Sequence, residues 1–319
     1  MAAKLERLIG VLNGLVGDHL ARSGNELATT MGFVHGGAAL SLDAALARAH
    51  ADPRPRVVVL VHGLMDTERV WTGGPADADS AGRIDYGAEL ARDRDSTSLY
   101  LRYNTGRPIA DNGAALSSLL EALVDAYPVP ITELWLLGHS MGGLVIRSAC
   151  HAASVAGHRW LDLVRRAIYV GTPHQGAPLE RVGRIVSRVL HTVDDPYTRL
   201  VARIADLRSD GLKDLGDADL RHEDRARRAA QLGLRDPSHP VPLLPSIEHY
   251  LVAGTVAVTP WLTSLFGDSI VPLASATNGE VSARSPLPPD HVAVFPGISH
   301  FGLAHHPEVY ARILAWCTP

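Results

Sequence analysis

Apolar residues recur along this chain with two different periods, and the alternation between them predicts the fold. Near the N-terminus Leu5, Leu8, Ile9, Leu12, Leu15 and Val16 share one helical stripe, which predicts an amphipathic helix over residues 3–29, with a break at Gly14 or Gly17. Such a helix is expected to dock on the rest of the chain. A membrane-surface or dimer-forming helix is the alternative, and its weak positive charge argues against the membrane version. Residues 31–42 read as a hairpin turning at Gly36-Gly37. The uninterrupted, β-branched run over residues 56–61 predicts a central strand buried on both faces. A helix over 83–92, a strand over 98–103 and a helix over 114–126 follow, the last with Leu116, Leu119, Leu120 and Leu123 inward. A strand at 131–137 leads into helix from Leu144, and a further strand covers 166–170.

Strands alternating with helices specify a parallel sheet. The pattern then changes. Residues 177–245 hold no clear strand but three helical pieces, at 182–190, 197–207 and the arginine-rich 219–232. The sheet pattern resumes at 249–253 and 291–295, and a last helix covers 307–316. The expected architecture is a mostly parallel central sheet with helices on both faces. It comprises an N-terminal helix (residues 1–30) packed on a single α/β domain (31–319), with residues 177–245 inserted as a helical cap over the sheet's C-terminal edge. The charges Arg221, Glu223, Asp224, Arg225, Arg227 and Arg228 read as the solvated face of that insertion.

Composition narrows the function classes. The 319 residues are 46% hydrophobic and 20% charged, with formal net charge -4. A pI near 6.5 leaves no electrostatic footprint for nucleic acid. Cys150 and Cys317 make no disulfide framework, and Cys150 reads as a small buried apolar residue. No run reaches the roughly 18 apolar residues of a membrane span, and Lys4, Glu6 and Arg7 interrupt any secretory leader. A cytoplasmic protein is the expectation, with transient contact at a membrane surface left open to the first helix.

The chemistry centres on Gly138-His139-Ser140-Met141-Gly142, set between a predicted strand and a predicted helix. Gly-x-Ser-x-Gly at a strand-to-helix turn is the pattern of a nucleophile elbow. The turn presses the residues two before and two after the serine together, and glycine alone lacks the Cβ that would clash. The serine also stands at a helix N-terminus, where free N–H groups and the helix dipole favour an oxyanion. The bland alternative is a small-residue turn that merely packs helix on sheet. A serine nucleophile needs a base oriented by a carboxylate, and in this architecture the order is Ser, acid, His. Among sixteen histidines, His300 is the first choice, because it follows the last predicted strand by a short loop; His305 and His306 read as preceding or capping the final helix. Asp268, in Phe266-Gly267-Asp268-Ser269-Ile270-Val271-Pro272, is the acid expected. Its rival Asp290 precedes the last strand, at that strand's wrong end. Backbone N–H groups of Met141 and Leu64 are the expected oxyanion donors. His62 is read as shaping the Leu64 loop, and His139 and His174 as structural or pocket-lining. No metal or cofactor is expected.

These motifs carry a resemblance. His62-Gly63-Leu64-Met65, Gly138-His139-Ser140-Met141-Gly142-Gly143, Gly171-Thr172-Pro173-His174-Gln175-Gly176, Gly267-Asp268-Ser269-Ile270-Val271-Pro272 and Ser299-His300-Phe301 occur in an order similar to that of the α/β-hydrolase superfamily. Within it, the chain resembles the bacterial esterase and lipase branch, inositol-deacylase-like hydrolases included. The resemblance implies an α/β-hydrolase fold with a nucleophile at Ser140, an acid at Asp268, a base at His300, oxyanion donors at Leu64 and Met141, and a lid in the helical insertion. It implies hydrolysis of a small-molecule or lipid carboxylic ester through an acyl-enzyme. The signal peptides, disulfide or calcium site of the branch's secreted lipases have no recognisable counterpart here. Phospholipase or acyltransferase activity with the same triad stays open, as does a non-catalytic binding module; neither substrate nor oligomeric state is readable.

Overall fold

The computed structural model describes residues 2–72, 82–176, 209–217, 219–223, 241–255 and 287–318. Its centre is a sheet of eight strands: β1 (Gly32–His35), β2 (Ala38–Leu40), β3 (Arg56–Val61), β4 (Thr97–Arg102), β5 (Glu133–His139), β6 (Val164–Val170), β7 (Glu248–Thr255) and β8 (Val292–Pro296). The spatial order is β2-β1-β4-β3-β5-β6-β7-β8. From β4 to β8 every pairing is parallel, and the β1–β2 hairpin joins β4 antiparallel at one edge. The strands predicted from the pattern are all present, and β3 and β5 are the paired centre.

A parallel sheet covered on both faces needs strands apolar on both faces. Val57, Val59 and Val61 of β3 join Leu134 and Leu136 of β5 on one side. That side is covered by α1 (Ala2–Arg22), α4 (Ile109–Ala126) and α5 (Met141–Ala156). Val58, Leu60, Trp135, Leu137, Ile168 and Val170 face the other side, under α3 (Tyr86–Arg94) and a C-terminal helix over Pro307–Trp316. Short helices at Ala44–Ala49 (α2), Trp160–Leu163 (α6) and Asp210–Asp217 (α7) complete the helices among the described residues, the C-terminal one being α8.

Three departures from the sequence reading have local causes. α1 ends at Arg22 instead of 29, and its irregular residue is Val16 (φ -138, ψ 16), between the two glycines singled out. The Gly17 carbonyl there accepts from Asn104 Nδ2 at 2.8 Å, so a tertiary partner takes a group the helix ladder releases. α4 starts five residues early, at Ile109, because the Ile109 N–H finds an outside acceptor in Asp214 Oδ2 at 3.0 Å. α7 was not among the three predicted helices of the insertion; its only buried apolar pair is Leu212 and Leu215, and two glycines dilute its pattern. The pieces at 182–190 and 197–207, and most of 219–232, lie outside the described residues, so the cap reading is not addressed.

α1 is not a surface helix. Residues 10–18 are buried except for the half-buried Leu12, lying over the loops that follow β3 and β4 and under α7. Asn13 ties the helix to the irregular segment that follows it, donating to the Leu27 carbonyl at 2.8 Å and accepting the Thr29 N–H at 2.8 Å. Ser209, just before α7, donates to the Gly14 carbonyl at 2.7 Å. Charge reinforces the seam: Glu6 pairs with Arg69 at 2.6 Å and with Arg102 at 3.7 Å, and Arg102 forks onto the buried Glu68. Burial alone would raise the Glu68 carboxyl, but the Arg102 guanidinium brings it below its ordinary value of 4.5.

Glu68→Ala strands a half-buried guanidinium and is expected to cost about 3 kcal/mol in denaturant unfolding near neutral pH. Because the folded-state pKa is depressed, this contribution is full above pH 4.5 and lost as pH falls through the folded-state value. The gap between wild type and variant therefore narrows in acid.

Candidate active site

β5 delivers Ser140 to the C-terminal edge of the sheet at its centre. The residue has φ 53 and ψ -125, a conformation that costs a non-glycine residue about 1–3 kcal/mol. Its neighbours explain how that is sustained. A Cβ on Gly138 would lie 2.6 Å from Gly143 Cα, and one on Gly142 would lie 2.4 Å from the Val61 carbonyl oxygen and 2.6 Å from that of His62. The first turn of α5 is thus pressed directly on β3 and β5, and the Ser140 N–H is taken by the Val170 carbonyl of β6 at 2.9 Å. Met141 is the first residue of α5, so its N–H has no acceptor within the helix.

The loop after β3 abuts the serine: a Cβ on Gly63 would sit 2.9 Å from Ser140 Cβ. Its orientation comes from His62. That imidazole donates from Nδ1 to the Gly63 carbonyl at 2.9 Å, while Nε2 faces the Tyr103 N–H at 3.4 Å and the ring stacks on Tyr103. The Gly63 carbonyl and the Leu64 N–H belong to one planar trans peptide, so they point in opposite directions. Fixing the carbonyl on His62 therefore turns the Leu64 N–H the other way, and among the described residues nothing accepts it. Burial pushes His62 down to about 4, which keeps the ring neutral. His62 is loop-shaping in this geometry, and its nitrogens are occupied by backbone.

His300 lies on the turn after β8, buried beside Gly171, the residue that follows β6. A Cβ at Gly171 (φ +62) would meet His300 Nδ1 and Cε1 at 3.1 Å. Ser140 bonds to Val170 and His300 rests on Gly171, so the two contact consecutive residues at the end of β6. His139 links them again, donating from Nε2 to the His300 carbonyl at 3.0 Å, with the two rings 4.9 Å apart. Burial and the neighbouring His300 hold His139 well below its ordinary value.

His174 is engaged elsewhere. Its Nδ1 accepts from Arg147 of α5 at 3.2 Å, and Arg147 also donates to the Val241 carbonyl, tying the loop after β6 and the segment before β7 to α5. Burial and the Arg147 charge together push His174 down. Behind it, the Tyr169 hydroxyl meets His249 Nδ1 at 3.1 Å. His306 accepts the Glu308 N–H as the N-cap of α8. Asp290 sits in a 3-10 turn that precedes β8, its carbonyl accepting from Trp316 Nε1 at 2.8 Å. Asp268 lies outside the described residues. Sequence reasoning missed Thr105, which carries no motif, and gave Gly63 and Met65 no role of their own within His62-Gly63-Leu64-Met65. Among the described residues no group of His, Cys, Asp and Glu could hold a metal ion, and no helix is long and apolar enough to cross a membrane.

The parallel sheet, the strained serine between β5 and α5 and the histidine after the last strand define an α/β-hydrolase fold. The family description "PGAP1-like alpha/beta domain" matches residues 56–217. The chain belongs to that family. Among solved structures it is similar to the mature form of lipase BlEst2 from Bacillus licheniformis, at 18% identity over 84% of this chain and 94% of that one, with a TM-score of 0.51. It is also similar to the esterase Pf2001 from Pyrococcus furiosus, at 12% identity over 82% and 81%, with a TM-score of 0.48. No curated protein matches this chain.

The neutral His62 sets a pH dependence. Its folded-state value near 4 lies below the ordinary 6.5, so the unfolded chain takes up the proton first. Stability attributable to His62 is full above pH 6.5 and falls by about 3 kcal/mol as pH drops to 4. Thermal unfolding across that window is expected to show a shallower decline for His62→Gln than for the wild type.

Proposed function

We propose that this protein is a serine carboxylic-ester hydrolase of the esterase and lipase type, working through an acyl-enzyme on Ser140. The observation that carries this reading is Ser140 itself: a non-glycine residue at φ 53 on a strand-to-helix turn, its N–H on Val170 and the His300 ring against the adjacent Gly171. Elsewhere in a protein such strain is simply destabilising; at the mouth of a helix it aims a hydroxyl at an incoming carbonyl.

His300 takes the hydroxyl proton as Ser140 Oγ attacks the ester carbon, and the carbonyl oxygen becomes an oxyanion received by the N–H groups of Leu64 and Met141. His300 then gives that proton to the leaving alcohol as the carbon–oxygen bond breaks. A water deprotonated by His300 attacks the acyl-serine, and the carboxylic acid leaves as Ser140 recovers its proton. Asp268 is assigned to hold the His300 imidazole in the required tautomer and to stabilise its cation. A small-molecule or lipid ester is the substrate class.

Turnover of p-nitrophenyl esters of graded chain length tests the reading. Ser140→Ala is expected to reduce kcat/KM by about 10⁴-fold or more. Equal turnover by both proteins, or none by the wild type, would reject it. Asp268→Asn is expected to cost about 10³-fold or more, while Asp290→Asn stays near wild type; the reverse result would move the acid to Asp290.

A further inference from the structure

Met65 directly follows the oxyanion donor assigned to Leu64. It is a bulky, fully buried residue with φ 59, in the left-handed region. Only two other described non-glycine residues share a positive φ: Ser140, and Asp95 at the C-cap of α3, where left-handed backbone is ordinary. Met65 is the third residue of the Gly63–Asp66 turn, closed by the Asp66 N–H on the Gly63 carbonyl at 3.4 Å, a position where positive φ favours glycine or asparagine over a bulky side chain. A methionine holds that conformation only where its surroundings over-determine it.

Those surroundings come from two places. The Met65 N–H is held by Thr105 Oγ1, from the loop after β4, at 3.1 Å. From above, α1 lies on the backbone itself. A Cβ on Gly14 would fall 3.0 Å from both Met65 N and Met65 Cα, and 2.3 Å from Met65 Cγ. One turn earlier, a Cβ on Gly10 would be 3.0 Å from Thr67 Cγ2 and 3.2 Å from the Asp66 carbonyl oxygen. One turn later, a Cβ on Gly17 would be 1.9 Å from Asn104 Oδ1. The three glycines thus form one face seated along residues 65–67 and on Asn104, and α7 closes on the opposite side through Ser209.

Resting on the hydrolase reading, we infer that α1 is part of the catalytic apparatus: Gly14 is a positioning residue that holds the Met65 backbone left-handed and so keeps the Leu64 N–H turned toward the oxyanion formed at Ser140. The dependence is on geometry at one peptide. His62 fixes the preceding carbonyl from one end, and α1 fixes the next residue from the other. A shift of the chain at Met65 rotates the peptide between them, and the donor leaves its line.

The test compares Gly14→Ala with the wild type in kcat, KM and the inhibition constant of a trifluoromethyl ketone, which binds as an oxyanion-bearing adduct of the serine. Gly14→Ala is expected to lower kcat and weaken the ketone in parallel, by about 10- to 100-fold, with KM little changed. Leu123→Ala, in the core of α4, serves as the stability control: its melting temperature falls, while turnover per folded molecule and ketone affinity hold. If Gly14→Ala does not fold, Thr105→Val, which removes the acceptor of the Met65 N–H, is expected to show the same parallel loss in smaller degree. Parallel loss in either variant supports the inference. Wild-type kcat and ketone affinity per folded molecule in the variant that folds would overturn it, as would a loss tracking only the folded fraction. A wild type inert to esters and unlabelled by a fluorophosphonate at Ser140 rejects the hydrolase reading, and this one with it; an active wild type with an indifferent Gly14 rejects this one alone.

Discussion

The structure turns on a steric condition: α5 must begin with its backbone touching the sheet. At Ser140 the chain reverses from β5 into α5 within a single residue, and the reversal closes only because Gly138, Gly142 and Gly143 present no side chain to Val61, His62 and each other. A Cβ on Gly138 or Gly142 would fall 2.4–2.6 Å from backbone atoms across the turn, so the helix could not stay this close. Lifting it would move the hydroxyl and the first helical N–H together, since both ride on the same turn. The surrounding sheet keeps the condition satisfied. β5 is flanked by β3 and β6 with both faces buried, so the strand that carries the turn has no freedom to relax it.

Burial divides the labour among the histidines near this turn. His62 and His139 are held neutral by desolvation, and a neutral imidazole has one N–H to give. Each gives it to a backbone carbonyl: His62 to Gly63, His139 to His300. The loop after β3 and the loop bearing His300 are therefore each anchored by the side chain of a residue at the end of a central strand. Tying them to strands instead of to solvent-facing loops makes their positions a property of the sheet.

How far this could be read from the sequence follows from the range of each interaction. The elbow was legible because its constraint is local: glycines two residues either side of a serine answer a clash within five residues. The central strands were legible because burial on both faces leaves an unbroken run such as Val57 to Val61. The place of His300 was legible from its distance past the last strand. What α1 covers was not, because its partners lie some fifty to ninety residues away, and spacing tells that a stripe is buried without telling against what. Gly14 and Gly17 read from the sequence as alternative breaks in the helix, and Gly10 carries no reading at all. In the structure they are where it makes its nearest approach. Nothing in the sequence marks Met65 as left-handed; it closes the Gly63–Asp66 turn while Gly14 and Thr105 contact its backbone from across the fold.

The two strained residues, Ser140 and Met65, stand on either side of Gly63, and this arrangement bears on why the N-terminal helix is so deeply buried. Two such conformations cost about 1–3 kcal/mol each, a real fraction of a total stability of about 5–15 kcal/mol. Ser140 is sustained by the sheet. Met65 lies beyond the end of β3, where no strand partner reaches; it is held by the Gly63–Asp66 turn, by Thr105 and by the helix laid across it. Full burial of an aliphatic side chain contributes about 1.5–3 kcal/mol, so Val11, Leu15 and Leu20, buried along α1, together outweigh the cost at Met65. The Glu6, Arg69, Arg102 and Glu68 cluster pins the helix at the same end. A helix at the margin of the sheet thereby supplies a constraint the sheet cannot, at the loop beside Ser140.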